Sequence, residues 1–336
     1  MKNPASDYVI ERIAAIRAVR TASRICRKVQ HQLVNGETLS KEDRSPVTVA
    51  DFASQALICA LLGQTFADDV IVAEEQADVL RDEEHVSLCA AVAEHVTDGL
   101  SEQNVDRSQV LEWIDRGGKG QASCDGRFWT VDPIDGTKGF LRRGQYAVAL
   151  ALIEDGQVVL GVLGCPNLPT AAGGAGALLL AIKGDSACEL SLDGDDDIGR
   201  CVTVSDLSDV QRARFCESVE SDHSSHGASA QIARALAITS DPLRMDSQAK
   251  YATVARGDAH IYLRLPTNRD YRECIWDHAA GMIVVTQAGG RVTDAQGKPL
   301  AFTRGRRLEA NRGIVATNGP LHDQVLQAVA TVLESG

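Results

Sequence analysis

Asp132 and Asp135, three residues apart, close a β-favouring run, Trp129-Thr130-Val131, and lead into Gly136-Thr137-Lys138-Gly139. Pro133 and Gly136 should stop that strand and turn the chain, so that both carboxylates project from one bend towards one point. Two anions aimed at one point need a cation. Hard divalent ions such as Mg²⁺ take oxygen ligands, and the Ile134 carbonyl between the aspartates is a natural third donor. The amides of Gly136, Thr137, Lys138 and Gly139 can then hold phosphate oxygens, the more so if a helix follows. A surface turn built on Asp-Pro and Asp-Gly would explain the same dipeptides. What outweighs it is the recurrence of acidic residues at other element ends.

Asp51 follows the extended segment Ser45-Pro46-Val47-Thr48-Val49-Ala50 and is expected to start a helix carrying Leu57, Ile58, Leu61 and Leu62, a placement that capping alone would explain. Glu74 and Glu75 end the buried strand Val70-Ile71-Val72-Ala73. Asp277 falls in the first turn of a buried helix that opens at Trp276, carries Met282-Ile283-Val284-Val285 and stops at Gly289-Gly290. The small residues Ala279, Ala280 and Gly281 would let that turn press against a neighbouring backbone or a metal site. The basic and polar groups come late in the chain. His223 and His226 lie in a serine-rich loop, Ser247 and Lys250 at the opening of a helix over 251–257, and Arg264 at the end of the strand Ile261-Tyr262-Leu263-Arg264. Lys250 and Arg264 could grip a phosphate, although among 34 basic residues a solvated surface charge explains either one alone.

The elements that must position these groups read as an alternation of helices and strands. Apolar residues recur at helical spacing from Tyr8 to Leu33, and shorter helices are expected over 83–94 and 108–114, the latter followed by a glycine-rich loop at Gly117, Gly118 and Gly120. Strands over 147–153 and 158–165 are joined at Asp155-Gly156, a strong hairpin signal. The Pro/Gly/Ala segment from Leu168 to Gly176 suggests a boundary between two subdomains, 1–168 and 169–336. Strands over 177–182 and 201–205 flank an acidic turn at 193–197; an EF-hand is rejected there because Ile198 and Val204 stand where glycine and glutamate are required. A strand from Phe215, a helix over 229–237, strands over 290–294 and 313–317, and a closing helix from Pro320 to Leu333 complete the reading.

At 336 residues the chain has ample material for a core without staples. Its net charge of −12, with no basic block, argues against nucleic-acid and anionic-membrane partners; a small phosphorylated ligand stays open because a metal reverses the field of an acidic site. Nine scattered cysteines without a Cys-x-x-Cys pair point to reduced thiols in an intracellular compartment, with the cytoplasm as the expected location. No stretch reads as a signal peptide or a membrane span. Nothing specifies assembly, and a monomer is the working expectation.

Together, Asp51, Glu74, Asp132-Pro-Ile-Asp135-Gly-Thr137 and Trp276-Asp277-His-Ala-Ala-Gly281 resemble the metal-dependent, lithium-sensitive phosphatase superfamily of inositol monophosphatase. The segments Ser45 to Asp51, Asp132 to Leu141, Gly164-Cys-Pro-Asn-Leu168, His223-Ser-Ser-His226, Asp246-Ser-Gln-Ala-Lys-Tyr251 and Tyr262-Leu-Arg-Leu265 spread the resemblance over nearly the whole chain, and the last three are similar to its 3′(2′),5′-bisphosphate nucleotidase branch. The resemblance implies an α/β fold, a layered α/β/α/β/α sandwich with the active site between two subdomains. It implies two or three Mg²⁺ ions held by Glu74, Asp132, the Ile134 carbonyl, Asp135 and Asp277, with inhibition by Li⁺. It associates Asp51 and Thr137 with activation of the attacking water, and Gly136, Thr137, His223, Ser247, Lys250, Arg264 and Asp277 with the substrate. The implied reaction is hydrolysis of the 3′-phosphate of adenosine 3′,5′-bisphosphate, and of 3′-phosphoadenylyl sulfate. An inositol phosphate phosphatase is the alternative.

Overall fold

A computed structural model describes residues 8–32, 46–101, 104–119, 126–195, 199–219, 226–265, 268 and 270–335. Helix α1 (Val9–Gln32) is amphipathic: Ala15, Ile16, Val19, Ala22, Cys26 and Val29 recur at helical spacing and are all buried. Helix α2 (Pro46–Thr65) is apolar almost all round, and it is accordingly enclosed by α1, α4 (Val86–Leu100), α5 (Arg107–Gly118) and a sheet. It begins at Pro46, not near Asp51 as expected, so Pro46–Ala50 is not an extended lead-in. Proline is well placed in a first helical turn, and packing of the helix, with Val49 fully buried, overrides the local β-branched character. Asp51 therefore lies a turn inside the helix rather than capping it.

A seven-stranded sheet lies beneath these helices. It runs in sequence order through β1 (Val70–Ala73), β2 (Arg127–Asp135), β3 (Ala147–Glu154), β4 (Gln157–Pro169), β5 (Ala175–Ile182), β6 (Cys188–Ser191) and β7 (Arg200–Cys201). Only β1 and β2 pair in parallel. Between β1 and α4 comes the short α3 (Asp78–Arg81), and after β2 the short α6 (Thr137–Leu141). Asp155 and Gly156 both take positive φ, 48° and 74°, as the two-residue β3–β4 hairpin requires. The expected division at residues 168 and 169 falls inside this sheet, within the last residues of β4, which is hydrogen-bonded to β5, and the change to the second sheet comes after Cys201.

The second sheet has the order β11 (Arg291–Thr293), β12 (Ile314–Thr317), β10 (Ile261–Arg264), β8 (Phe215–Glu217), β9 (Leu243–Arg244). Helices α8 (Ala249–Ala255) and α9 (Ala279–Gln287) fill the space between the two sheets, sharing one core with Ala149, Ile153 and Leu163 on one side and Tyr262 and Ala316 on the other. Helices α7 (His226–Ala235) and α10 (His322–Ser335) cover the outer face through Phe215, Ile232, Leu263, Val325 and Val329. The result is five layers, α/β/α/β/α. Small residues set the middle spacing: a Cβ on Gly281 would fall 2.1 Å from the Tyr251 ring, so α8 and α9 touch backbone to ring.

The eight cysteines within the described residues are free thiols, and no described helix is long and apolar enough to cross a membrane.

Candidate active site

Pairing of β1 with β2 brings the first acids together. Ala73 stands opposite Val131 in the parallel register, so Glu74 and Asp132 leave the pair side by side. Helix α2 holds both strand ends. Gln55 accepts from the Glu75 amide at 2.9 Å and donates to its carbonyl at 2.8 Å, while Ser54 Oγ donates to the Pro133 carbonyl at 2.9 Å.

The aspartate motif differs from its sequence reading in one informative way. The strand does not stop at Asp132; Pro133, Ile134 and Asp135 belong to it. Opposite β3, Asp132 pairs with Ala149 and Asp135 with Ala147, so β2 carries one extra residue there. Residues three apart in a regular strand point to opposite faces, and the extra residue restores equal parity, which turns both carboxylates to the same side. Proline is tolerated because a bulge needs no amide at that point. Gly136 then takes φ 89°, where a side chain would also meet Ser247 Cβ at 2.8 Å.

Asp277 also sits differently. It precedes α9, two residues before the first helical residue Ala279, in the turn Trp276–His278. Its carboxylate accepts from Arg264 Nη2 at 3.2 Å.

These groups line one cleft of about 420 Å³, which brings together Glu74, Asp132, Ile134, Asp135, Gly136, Thr137, Ser247, Lys250, Arg264 and Asp277. Asp51 is not on its wall. It lies buried behind, its carboxyl raised by burial first and then by the charges of Glu75 and Glu74. Glu74 is pushed up to about 8 by desolvation and then by Asp277, Glu75 and Asp135. Asp277 is raised to about 6, desolvation outweighing the opposing pull of Arg264. Asp132 is raised well above the carboxylate range by burial and by Glu74, Asp135 and Asp277. Asp132 Oδ1 is buried with no hydrogen-bond partner. Carboxylates that repel one another, one with an orphaned buried oxygen, are what a hard divalent cation would satisfy, and the all-oxygen donor set fits Mg²⁺.

The opposite wall is basic. Lys250 is 3% exposed, its ammonium 3.3 Å from the Met245 carbonyl and 5.2 Å from the centre of the Tyr262 ring. Burial lowers its pKa, against the opposing charge of Asp135. It is therefore no solvated surface charge. Ser247 occupies a left-handed backbone conformation, φ 69°, beside Gly136. Arg264 reaches the cleft already shared by two acids, Nε lying 2.7 Å from Glu273 and Nη2 3.2 Å from Asp277. His223 lies outside the described residues.

Several supporting residues carry no signal in the sequence reading. Gln248, quoted in a motif but given no role, accepts from the Gly281 amide at 3.1 Å and donates from Nε2 to the Trp276 carbonyl at 2.9 Å; its own amide donates to Asp135 Oδ2 at 2.6 Å. One buried residue thus joins the two segments, its backbone amide bonding Asp135 and its side chain the residues on either side of Asp277. Glu273, Asp277 and His278 offer ligand atoms within 4.8 Å of one another, but Glu273 is engaged by Arg264 and by His278 Nε2 at 3.2 Å, and His278 Nδ1 meets Tyr251 OH at 2.8 Å. That chain of contacts braces Arg264 and Asp277. Buried glutamine and histidine are neutral in any pattern of charge or periodicity, so only the folded chain reveals them.

The sequence matches the inositol monophosphatase family over residues 10–334, and the chain belongs to that family. Among its relatives, the 3′(2′),5′-bisphosphate nucleotidase of Emericella nidulans is 42% identical, covering 98% of this chain and 99% of the relative. Proteins of the same name from Schizosaccharomyces pombe and Oryza sativa are 41% and 43% identical, covering 97% and 98% of this chain and 96% of each relative. Among solved structures, an inositol monophosphatase from Anabaena superposes with a TM-score of 0.64 at 20% identity, covering 97% of both chains. The Thermotoga maritima IMPase does so with 0.61 at 21%, covering 96% of this chain and 97% of its own. At such identities the likeness speaks for the fold alone.

Proposed function

We propose that the chain is a Mg²⁺-dependent phosphatase that hydrolyses the 3′-phosphate of adenosine 3′,5′-bisphosphate to AMP and inorganic phosphate, and that acts on 3′-phosphoadenylyl sulfate as well. The observation that carries the reading is one cleft lined both by an acidic cluster, Glu74, Asp132, Asp135 and Asp277, and by a buried lysine. A substrate with two phosphates suits that division: one is placed against the acids for cleavage, the other is retained on the basic wall. The names of the relatives agree with it.

In this reading Glu74, Asp132, the Ile134 carbonyl, Asp135 and Asp277 hold the Mg²⁺ ions. When bound, the ions supply charge stabilisation of the transferring phosphoryl group and a lower pKa for the attacking water. The chain's own groups do the rest. Thr137, exposed at the start of α6, presents its hydroxyl to the water. Asp51, on α2, serves as the buried proton acceptor, its carboxyl raised by burial and by the charges of Glu75 and Glu74. Amides of Gly136, Thr137 and Lys138, which the first turn of α6 leaves outside its own ladder, donate to the phosphate undergoing cleavage. Lys250 and Ser247 hold the uncleaved 5′-phosphate, with His223 as a further contact. Arg264 has a double part, since it bears on the ligand while it orients Asp277.

The test separates the two walls. Lys250→Met should raise KM for adenosine 3′,5′-bisphosphate by about tenfold or more, the worth of a charged hydrogen bond, with adenosine 3′-monophosphate turned over as by the wild type. Equal KM values for the bisphosphate in variant and wild type would overturn the assignment of the basic wall. A wild-type preference for inositol 1-phosphate would overturn the nucleotide reading.

A further inference from the structure

We infer that Arg306, which belongs to no catalytic motif, is the positioning residue that sets the spacing between Glu74 and Asp277; the inference rests on the reading of those two acids as metal ligands. The segment around Arg306 is anchored to the stretch leading into Asp277. The Ile275 amide donates to the Arg306 carbonyl at 3.1 Å, the Leu308 amide donates to the Glu273 carbonyl at 2.9 Å, and Cys274 and Arg307 form an antiparallel bridge between these bonds. From that anchored backbone the Arg306 guanidinium lies 4.7 Å from the centre of the Trp276 ring, next to Asp277. Its Nη2 donates to the carbonyl of Ala73, the residue before Glu74, and its Nη1 to the carbonyl of Gly118 at the end of α5, at 3.3 Å.

One planar cation thus grips the end of β1 and the end of α5 while it is stacked on the residue beside Asp277. The partners are 233 and 188 residues away in sequence, and they belong to the first sheet and its covering helices, whereas Arg306 belongs to the loop between β11 and β12. Only a rigid fork can serve both carbonyls and the ring at once; lysine has the charge without the plane. Residues that hold ligands from behind in this way commonly govern metal affinity by about 10- to 100-fold. The cation also faces the acidic cluster it braces, since Glu74 acts on Arg306 electrostatically.

The experiment is a titration of Mn²⁺ followed by electron paramagnetic resonance, beside the Mg²⁺ dependence of phosphate release, for wild type, Arg306→Ala, Arg306→Lys and Asp277→Asn. Arg306→Ala should weaken Mn²⁺ binding and raise the half-saturating Mg²⁺ concentration by about tenfold, with KM for the nucleotide at saturating Mg²⁺ within about twofold of wild type. Arg306→Lys should fall between the two, and it carries the test if the alanine variant does not fold. Wild-type Mn²⁺ affinity in Arg306→Lys and in any folded Arg306→Ala, with Asp277→Asn impaired, would overturn the positioning role while leaving the metal reading intact. Wild-type affinity in Asp277→Asn would instead overturn the metal reading on which it rests.

Discussion

The two walls of the cleft are built on different principles. The acidic wall hangs on backbone: Glu74 and Asp132 emerge from paired strands, Asp135 from a bulge in one of them, and Gln55 and Ser54 hold the strand ends by their peptide groups. The basic wall hangs on side chains, Lys250 from α8 in the middle layer and Arg264 from the end of β10 in the second sheet, each buried among partners. Rigid backbone is suited to hold like charges together against their repulsion. Side chains that exchange partners are suited to accept a ligand and release a product.

The contrast can be broken first on the acidic side. Asp132→Asn should lower turnover by about three orders of magnitude, as loss of a cation ligand of several kcal/mol implies. In EDTA the same variant should unfold at a higher temperature than wild type, because it removes a buried carboxyl whose ionisation the fold penalises through burial and the neighbouring acids. Thermal melts with and without Mg²⁺ check both; a wild-type melting temperature in EDTA would contradict the account of the acidic wall. On the basic side, Lys250→Met should change KM for the bisphosphate and leave stability near wild type or above it, since it exchanges a buried cation for an apolar chain of similar length.

Gln248→Ala sharpens the comparison, because Gln248 belongs to neither wall and joins the Asp135 segment to that of Asp277. Leaving the Gly281 amide and the Trp276 carbonyl unpaired should cost about 1–3 kcal/mol in a urea titration and raise the Mg²⁺ requirement by roughly tenfold. A Gln248→Glu variant with wild-type Mg²⁺ dependence would show that the bridge is dispensable.

The pH dependence of the metal-free protein is a smaller effect with a definite sign. Glu74 is raised to about 8 and Asp277 to about 6 in the folded protein, above their ordinary values of 4.5 and 3.8. The unfolded chain loses these protons first as pH rises, so their contribution to stability is fully present below those ordinary values and is lost as pH climbs through the folded ones. In EDTA the melting temperature should fall by a few degrees between about pH 5 and pH 8, and Mg²⁺ should flatten or reverse that slope by binding the ionised form. A metal-free melting curve that rises over this interval would contradict the clustering of the four acids.

Much of this was legible in the chain. Val70–Ala73 and Ile261–Arg264 form strands with the expected bounds, and Asp155-Gly156 makes the expected hairpin. The clustering of the acidic wall was legible because its carboxylates come in short local motifs at or beside the ends of elements. What was not legible depends on burial. Packing made Pro46–Ala50 helix where extended chain was expected, and the bulge that aligns Asp132 with Asp135 requires β3 as a reference. The surroundings of Lys250 come from Met245 and Tyr262, which no spacing rule connects, and Gln248 reaches Gly281 across 33 residues. Long-range polar partners leave no periodic trace in a single sequence.

The central claim is tested most directly by inorganic phosphate release from adenosine 3′,5′-bisphosphate and from inositol 1-phosphate, with and without Mg²⁺ and with added Li⁺, for wild type and Asp135→Ala. The account predicts Mg²⁺-dependent, Li⁺-inhibited release chiefly from the nucleotide, abolished in the variant. Release that persists in Asp135→Ala, or that proceeds without a divalent ion, would contradict it.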